Sequence, residues 1–277
     1  MVHSDGAGGI DPDLAHEIRE KCDGLDIPLV GFAPVERWDR PPFEPWVPAE
    51  FRPAAIYPET RTVIVIGLPV SLPVLETAPS IWYHELYRTV NTLLDEYGYR
   101  IASFLSAKGH PSVPVPRDGY GSISILKERP TAFFSHRHAA FCAGLGTFGV
   151  NNMLLTREFG PRVRFTSILT SARLPPDPVS DEGLCTHCNR CVEACPVRAL
   201  EEGEYPATLT DKRTCATRSE DLNRRSISPC GLCIRVCPVG RDRALYRRED
   251  TGIYDGEEKG RTGLHRAWAH VRAYGGG

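Results

Sequence analysis

Eight of the ten cysteines in this 277-residue chain lie between positions 185 and 237, at spacings typical of iron–sulfur ligands. The first four follow the pattern C-x2-C-x2-C-x3-C-P, which is found in bacterial two-cluster ferredoxins. Three closely spaced thiolates can hold three corners of one cubane, while the fourth, turned away by the proline, ligates the other cluster. A second half follows, with an intact C-x2-C-x3-C-P and a first ligand displaced upstream. The two halves comprise Cys185, Cys188, Cys191 and Cys195, and then Cys215, Cys230, Cys233 and Cys237.

This exchange of ligands between the halves predicts two [4Fe–4S] clusters. The first cluster is predicted to be held by Cys185, Cys188, Cys191 and Cys237. The second cluster is predicted to be held by Cys195, Cys215, Cys230 and Cys233. Two zinc sites would also use eight thiolates, but structural zinc favours paired C-x2-C knuckles. Disulfides are disfavoured inside the cell, and Cys22 and Cys142, outside the module, are predicted to be buried free thiols.

Composition and charge limit the class of protein. The chain is 41% hydrophobic and 25% charged, as globular proteins are. Its 33 Lys and Arg residues against 35 Asp and Glu leave no basic excess, so a nucleic-acid partner is not expected. Residues 1–11 lack the basic and apolar regions of an export signal. The longest apolar stretch, 62–75, contains prolines and is too short to span a membrane, so we expect a cytoplasmic protein without membrane contact.

Hydrophobic periodicity predicts an α/β domain ahead of the cysteine module. The predicted helices cover 12–22, 82–108 and 135–143. The predicted strands cover 29–33, 62–68, 112–116 and 162–170. A proline-rich segment ends this pattern near residue 178, which separates a first domain (1–178) from the ferredoxin module (179–240) and a polar tail (241–277). The basic run at 243–248 in that tail is predicted to be a solvated helix face.

A glycine-rich turn, Gly144-Leu-Gly146-Thr-Phe-Gly149, follows the helix predicted over 135–143. Such turns let the backbone approach a ligand closely and present N–H groups to it. Because this turn follows a helix and not a strand, it is not predicted to be a dinucleotide fingerprint.

Several segments in their order resemble the superfamily of epoxyqueuosine reductases and reductive dehalogenases. These segments are TRTVIVIGLPV, AGLGTFGVNN, EFGPRVRFTSILT and CTHCNRCVEACP. The resemblance covers about residues 27–240. It implies an α+β fold, with a nitroreductase-like α/β sandwich domain followed by a bacterial-type ferredoxin domain with two [4Fe–4S] clusters. It also implies that the first domain holds a cobalamin, which receives electrons from the clusters and removes an epoxide oxygen or a halogen.

The same resemblance suggests site residues in the first domain. The cofactor-facing element corresponds to Gly144, Leu145, Gly146, Gly149, Asn151 and Asn152. Groups that could meet the carboxamides or phosphate of the cofactor are Arg137, Arg162 and Arg164. An exposed strand face is the alternative for the last two. The candidate proton donors are His136, His138 and Tyr120, and a structural role for both histidines is the alternative.

The chain also departs from the pattern of this superfamily. Epoxyqueuosine reductases carry an acidic general acid in a D-[ST]-x-P context, where this chain has Pro130. The helical-repeat domain that helps those enzymes grip tRNA, and the twin-arginine leader of respiratory dehalogenases, are not found in the 277 residues. These departures favour a small-molecule substrate over tRNA.

The leading hypothesis is therefore an iron–sulfur oxidoreductase that takes electrons from an external donor such as ferredoxin or flavodoxin and passes them to cobalamin. An alternative is a dedicated electron-transfer or corrinoid-activating protein without a substrate of its own. A third hypothesis gives the first domain a flavin, and a fourth makes the chain a structural zinc protein.

Overall fold

The computed structural model describes residues 9–39, 47–180, 182–255 and 262–274. Its strands are β1 (Leu29–Pro34), β2 (Thr62–Pro69), β3 (Ser112–Val115), β4 (Thr147–Phe148), β5 (Leu154–Leu155) and β6 (Val163–Thr170). The main sheet has the order β1-β2-β6-β3, and each pair of neighbours is antiparallel. β4 and β5 pair separately as a small hairpin.

The helices divide between the two parts of the chain. Before residue 178 they are α1 (Pro12–Asp23), α2 (Pro53–Ile56), α3 (Leu72–Leu75), α4 (Ile81–Ala107), α5 (Ile123–Glu128) and α6 (His136–Cys142). After it they are α7 (Arg190–Glu193), α8 (Lys212–Asn223), α9 (Leu232–Arg235), α10 (Asp242–Leu245) and α11 (Gly263–Ala273). Short 3-10 turns occur at Val35–Asp39, Ala49–Phe51 and Thr251–Tyr254.

Both faces of the main sheet are covered, which explains the continuous apolar run of β2. Side chains alternate across a strand, so Ile64 and Ile66 join the core formed with α1 and α4. Val63 and Val65 point the opposite way and join a second core with Ala139 of α6. The sheet therefore holds α4 on one side and α6, with its following glycine-rich loop, on the other.

Helix α4 is the longest element, and its side chains contact both the main sheet and the cysteine module. The Ser80 hydroxyl caps its first turn by accepting a hydrogen bond from the Tyr83 N–H at 3.1 Å. The helix stops before Gly109, whose φ of 86° lies in the left-handed region that ends helices.

These elements confirm the α+β class, and each helix and strand predicted from periodicity is present with ends within one residue of its predicted bounds. The nitroreductase-like name and the domain boundaries stay predictions. The segment after residue 170 has no helix or strand until α7, and it is tied to the first domain through Asp177. The Asp177 carboxylate accepts hydrogen bonds from Arg19 at 2.8 Å and from the Phe32 N–H at 2.8 Å.

The prediction of a solvated helix face for residues 243–248 is wrong. Arg243 is only 2% exposed, and Arg248 donates to the buried carboxylate of Glu76 at 2.7 Å. The physical reason is that the segment after residue 240 folds back onto the module, where Tyr254 and Trp268 build a small core of their own.

Among the described residues, no helix combines the length and the apolar character that crossing a membrane requires.

Candidate functional site

The four cysteines predicted to hold the first cluster line one small pocket. Burial, followed by the charges of Cys237, Cys188 and Cys185, raises the pKa of the Cys191 thiol to about 11. Four thiolates in one cavity repel one another, and metal cations would neutralise that charge. Gly149, Val150 and Asn151 of the glycine-rich loop border the same cavity.

The remaining four module cysteines form a second group. Burial raises the pKa of the Cys233 and Cys215 thiols, and neighbouring Cys230 and Cys195 raise both further. Cys195 thus lies with the cysteines of the second half, and its sulfur accepts a hydrogen bond from the Ala199 N–H at 3.2 Å. The charge of Cys191 also acts on Cys233, so the two groups adjoin. The assignment of ligands to two clusters stays a prediction.

All ten cysteines lie in the described ranges, and none of them forms a disulfide. In those ranges no three His, Cys, Asp or Glu side chains come close enough together to hold a single metal ion. Each thiolate of a four-iron cubane binds a different iron. The relevant arrangement for a cluster is therefore four thiols around a common cavity, as at the first group.

The glycine-rich loop packs closely against its own chain. A Cβ on Gly144 would collide with the carbonyl of Pro178, and one on Gly146 would collide with the carbonyl of Leu155. The close backbone approach that these glycines predicted is present, but the partner is protein backbone. Leu145 borders a separate cleft with Gly144 and Gly146, away from the thiols. The predicted cofactor-facing element is thus divided between two cavities.

Replacing Gly146 with alanine is expected to lower the free energy of unfolding by about 1–3 kcal/mol, because the added methyl group overpacks against the Leu155 carbonyl. Urea denaturation followed by tryptophan fluorescence measures this. Gly183→Ala is the matched control, since no atom lies within 4 Å of its added Cβ. Equal stability of the two variants would contradict a packing role for Gly146.

The side chain of Asn152 connects the first domain to the cysteine module by hydrogen bonds. Its φ of 56° is left-handed, and its amide is occupied by backbone groups of the loop before α8. Nδ2 donates to the Thr208 carbonyl at 3.2 Å, and Oδ1 accepts from the Thr210 N–H at 2.6 Å. The structure therefore places this predicted cofactor residue at the seam between the two parts of the chain.

Arg162 is buried, so the alternative of an exposed strand face is wrong for this residue. Its guanidinium forms a two-point ion pair with Asp242, at 2.7 Å and 2.6 Å. It also donates to the carbonyls of Cys237 at 3.2 Å and Val239 at 2.6 Å. Arg162 therefore contacts the backbone of a predicted cluster ligand and is remote from solvent.

Both candidate histidines are held by hydrogen bonds. His136 Nε2 lies 2.9 Å from the Pro116 carbonyl, and Nδ1 lies 2.9 Å from the Ser167 hydroxyl. Because a carbonyl can only accept, Nε2 carries the proton and Nδ1 accepts from Ser167. Burial lowers the pKa of His136 to about 4 and that of His138 to about 3. Both rings are therefore neutral near pH 7.

His138 lies in an aromatic cluster that sequence reasoning did not find. Its Nε2 is 2.5 Å from the hydroxyl of Tyr205, and its Nδ1 is 2.6 Å from the hydroxyl of Ser135. The ring of Tyr205 stacks on Phe148 of the glycine-rich loop, with centroids 4.1 Å apart. No motif contains Tyr205, because this contact joins residues from two distant segments.

A second group of polar residues lies between α4, β6 and the loop before α5. Arg164 donates to Asn91 at 3.1 Å and to Asp118 at 3.0 Å, and its guanidinium lies 4.5 Å from the ring centre of Tyr87. Burial raises the pKa of Tyr120, and the charges of Tyr87 and Asp118 raise it further. Burial also raises the pKa of Tyr87, but the charge of Arg164 opposes that rise. The side chain of Arg164 is 27% exposed.

Tyr87 of this polar group lies one turn of α4 from Tyr83, which contacts the second group of cysteines. Tyr83 packs against Gly231, which stands between Cys230 and Cys233, and a Cβ on that glycine would lie 2.7 Å from the tyrosine ring. The rings of Tyr83 and Tyr87 meet edge to face at 6.3 Å. Sequence reasoning did not find Tyr87, although the i,i+4 spacing of these two tyrosines on a helix was a signal that could have found it.

Arg137 and Lys212 add positive charge beside the second group of cysteines, and neither forms an ion pair with a carboxylate of the described ranges. Arg137 donates to the Asn152 carbonyl at 2.5 Å, and its charge opposes the rise in the pKa of the Cys215 thiol that burial causes. Burial, and then the charge of Arg137, lowers the pKa of Lys212. We call Arg137, Arg164, Lys212, Cys215 and Tyr87 together the cationic site.

Comparison with known proteins finds that this chain is similar to redox enzymes. A family profile for a 4Fe-4S binding domain matches residues 178–201. A tetrachloroethene reductive dehalogenase of Desulfitobacterium hafniense is 27% identical over 231 residues, which cover 76% of this chain and 38% of that protein. An epoxyqueuosine reductase of Synechococcus sp. (strain RCC307) is 33% identical over 111 residues, 37% of this chain and 33% of that protein. The chain is a homologue of these two groups of reductases. It spans less than two-fifths of the length of either relative.

Solved structures agree on the fold of these homologues. A catabolic reductive dehalogenase superposes with a TM-score of 0.66 at 18% identity, over 99% of this chain and 37% of the other. A reductive dehalogenase described as B12-dependent gives 0.63 at 20% identity, over 97% and 37%. An epoxyqueuosine reductase bound to a modified tRNA-Tyr stem loop gives 0.54 at 20% identity, over 81% and 64%.

These comparisons confirm the suspected superfamily and the expectation of 4Fe-4S chemistry in the cysteine module. The number of clusters stays a prediction. One homologue was solved with a tRNA stem loop, which differs from the expectation, based on net charge, that nucleic acid is not a partner.

Proposed function

We propose that this chain is a reductase that relays electrons through two [4Fe–4S] clusters to a cobalamin-type cofactor and thereby removes an oxygen or halogen from a small-molecule substrate. The observation that carries this proposal is the position of Cys215. The charge of Arg137 acts on Cys215, which is part of the cationic site. A predicted cluster ligand and candidate substrate-binding groups therefore lie in one region.

The cysteines fit two iron–sulfur clusters, because the eight module thiols fall into two adjoining groups of four. Clusters supply one-electron transfer when bound. Cys188 of the first group is exposed, whereas Cys237 of the same group is buried. An external donor such as ferredoxin or flavodoxin would therefore bind at the surface around Cys188.

Arg137 and Lys212 of the cationic site, together with the nearby Thr210, fit a corrinoid. Corrinoids present amide side chains and a phosphate, and guanidinium and ammonium groups donate hydrogen bonds to such oxygens. Arg137 and Lys212 lack carboxylate partners in the described ranges, and there the buried hydroxyl of Thr210 lacks a hydrogen-bond partner. These three side chains would hold the corrinoid, which when bound supplies low-valent cobalt as reductant.

We assign the proton donor to Tyr87. The Tyr87 ring lies under the guanidinium of Arg164, which stabilises a phenolate after the proton has left. Asn91 hydrogen-bonds to Tyr87 and also favours the charged form of this hydroxyl. Asp118 raises the pKa of both tyrosines, but after burial the largest cause at Tyr87 is the opposing charge of Arg164, whereas at Tyr120 it is the charge of Tyr87, which raises the pKa further. Tyr120 is therefore the poorer donor. His136 and His138 are neutral, and their ring nitrogens are already engaged.

Anaerobic reconstitution followed by a cobalamin titration tests this proposal. We expect the parent protein to bind cobalamin with a change in its absorption spectrum. Arg137→Met should bind it roughly 10- to 100-fold more weakly, because a hydrogen bond from a charged group is lost. Arg88→Met is the control, because Arg88 is exposed on α4 and pairs with the neighbouring Glu85.

The other hypotheses predict different results. One such result is a parent protein that fails to bind cobalamin and still exchanges electrons with an external acceptor. That result would contradict the reductase proposal and support an electron-transfer or corrinoid-activating protein. The presence of Pro130 in place of the superfamily's acid favours that second candidate. Release of flavin on heating would support a flavin-containing first domain instead.

A further inference from the structure

Two buried guanidinium groups converge on the carbonyl of Cys237. Arg162 of the first domain donates to this oxygen through Nη1 at 3.2 Å, and Arg243 of α10 donates to it through Nε at 2.7 Å. The side chain of Arg162 is fully buried, and Arg243 is 2% exposed. The carbonyl of one predicted first-cluster ligand is therefore fixed by two cations from different parts of the chain.

The arginines of this buried network differ in their partners. Arg162 is paired with Asp242, and Arg248 is paired with Glu76. Arg243 has no carboxylate partner in the described ranges. It donates to the carbonyls of Cys237, Arg248 and Arg235, and to the hydroxyl of Tyr254. Arg162 and Arg248 thus each face a carboxylate, whereas Arg243 faces only neutral acceptors among the described residues.

An unpaired buried charge is costly unless an opposite charge lies nearby. A four-iron cluster with four thiolates carries net negative charge and gains one more negative charge on reduction. A cluster bound by the first group of cysteines, which includes Cys237, would place this negative charge near Arg162 and Arg243. Positive charge held in the low-dielectric interior favours the more negative, reduced form.

We infer that Arg162 and Arg243 are positioning residues of the first cluster that hold the Cys237 backbone and raise the reduction potential of this cluster alone. This inference rests on the two-cluster part of the proposed function and does not depend on the corrinoid or on any substrate. A raised potential makes this cluster the better electron acceptor of the two.

The test is an anaerobic redox titration followed by electron paramagnetic resonance, on full-length protein reconstituted with iron and sulfide but without cobalamin. Arg243→Gln is expected to shift one of the two midpoint potentials to a more negative value and to leave the other in place. Arg241→Gln is the matched control, because it removes the same charge from an exposed position two residues away, where solvent screens it.

A second variant keeps the test decisive where Arg243→Gln does not incorporate iron. Glu76→Gln is nearly isosteric and removes a negative charge that reaches Arg243 through the Tyr254 hydroxyl, at 2.8 Å and 3.2 Å. We expect it to shift the same midpoint potential to a more positive value.

Unchanged potentials in both variants, or equal shifts of both clusters, would overturn the inference. A failure of cobalamin binding or of turnover would leave it standing, because neither enters the measurement. Recovery of only one cluster in the parent protein would count against the proposed function and this inference together.

Discussion

Replacing Cys237 with alanine is expected to remove the first cluster and to leave the second, so that iron and acid-labile sulfide fall by roughly half. The reason is the position of Cys237, which lies at the cavity formed with Cys185, Cys188 and Cys191, although it follows Cys233 closely in sequence. Analysis of iron and sulfide per chain, with electron paramagnetic resonance of the reduced protein, measures the loss. Cys142→Ala is the control, since Cys142 is a buried thiol outside the module.

Double variants decide whether the ligands are exchanged between the two halves. Cys185→Ala combined with Cys237→Ala removes two ligands of one cluster and should retain the other cluster. Cys230→Ala combined with Cys237→Ala removes one ligand from each cluster and should lose nearly all iron. The reverse result, with iron retained only in the second pair, would mean that each cluster is held by consecutive cysteines of one half.

Replacing Tyr87 with phenylalanine is expected to lower turnover by roughly 10²- to 10⁴-fold, which is the usual contribution of a positioned general acid. The change removes only the hydroxyl and keeps the ring against Arg164 and Tyr83. Iron content and cobalamin binding should match those of the parent protein. The measurement is anaerobic turnover of an aryl bromide and of an epoxide probe, with reduced methyl viologen as the electron source.

Tyr97→Phe is the control for this variant, because Tyr97 lies on the same helix but packs against the apolar core. A loss of activity in Tyr120→Phe with full activity in Tyr87→Phe would mean that the proton donor is Tyr120, in the loop before α5. Full activity in both variants would remove tyrosine from the protonation step altogether.

The cysteine module shows how far local sequence patterns reach. The spacing C-x2-C-x2-C-x3-C-P predicted a ferredoxin-type region, and the family profile over residues 178–201 agrees. The strands and helices of the first domain were also predictable, because both faces of β2 and one face of α4 must be apolar to be buried. In these cases neighbours in sequence carry the whole signal.

The site in the first domain shows where such patterns stop. The glycines of the AGLGTFG turn were correctly expected to permit a close approach, but the sequence could not tell that Pro178 and Leu155 fill the space. Asn152 looked like a cofactor ligand, and its amide is taken by Thr208 and Thr210. Both outcomes depend on backbone from distant segments.

The sequence by itself determined the chemistry of the cysteine module and the order of strands and helices, because metal-ligand spacing and hydrophobic periodicity are local properties. Only the tertiary structure decided which charges are buried. Arg162 in a strand and Arg243 in a polar tail both looked exposed, since an arginine's surroundings depend on what folds over it. Asp242 and the Cys237 carbonyl lie far along the chain from Arg162, and Tyr254 folds back onto Arg243, so both arginines become buried partners of the cysteine module.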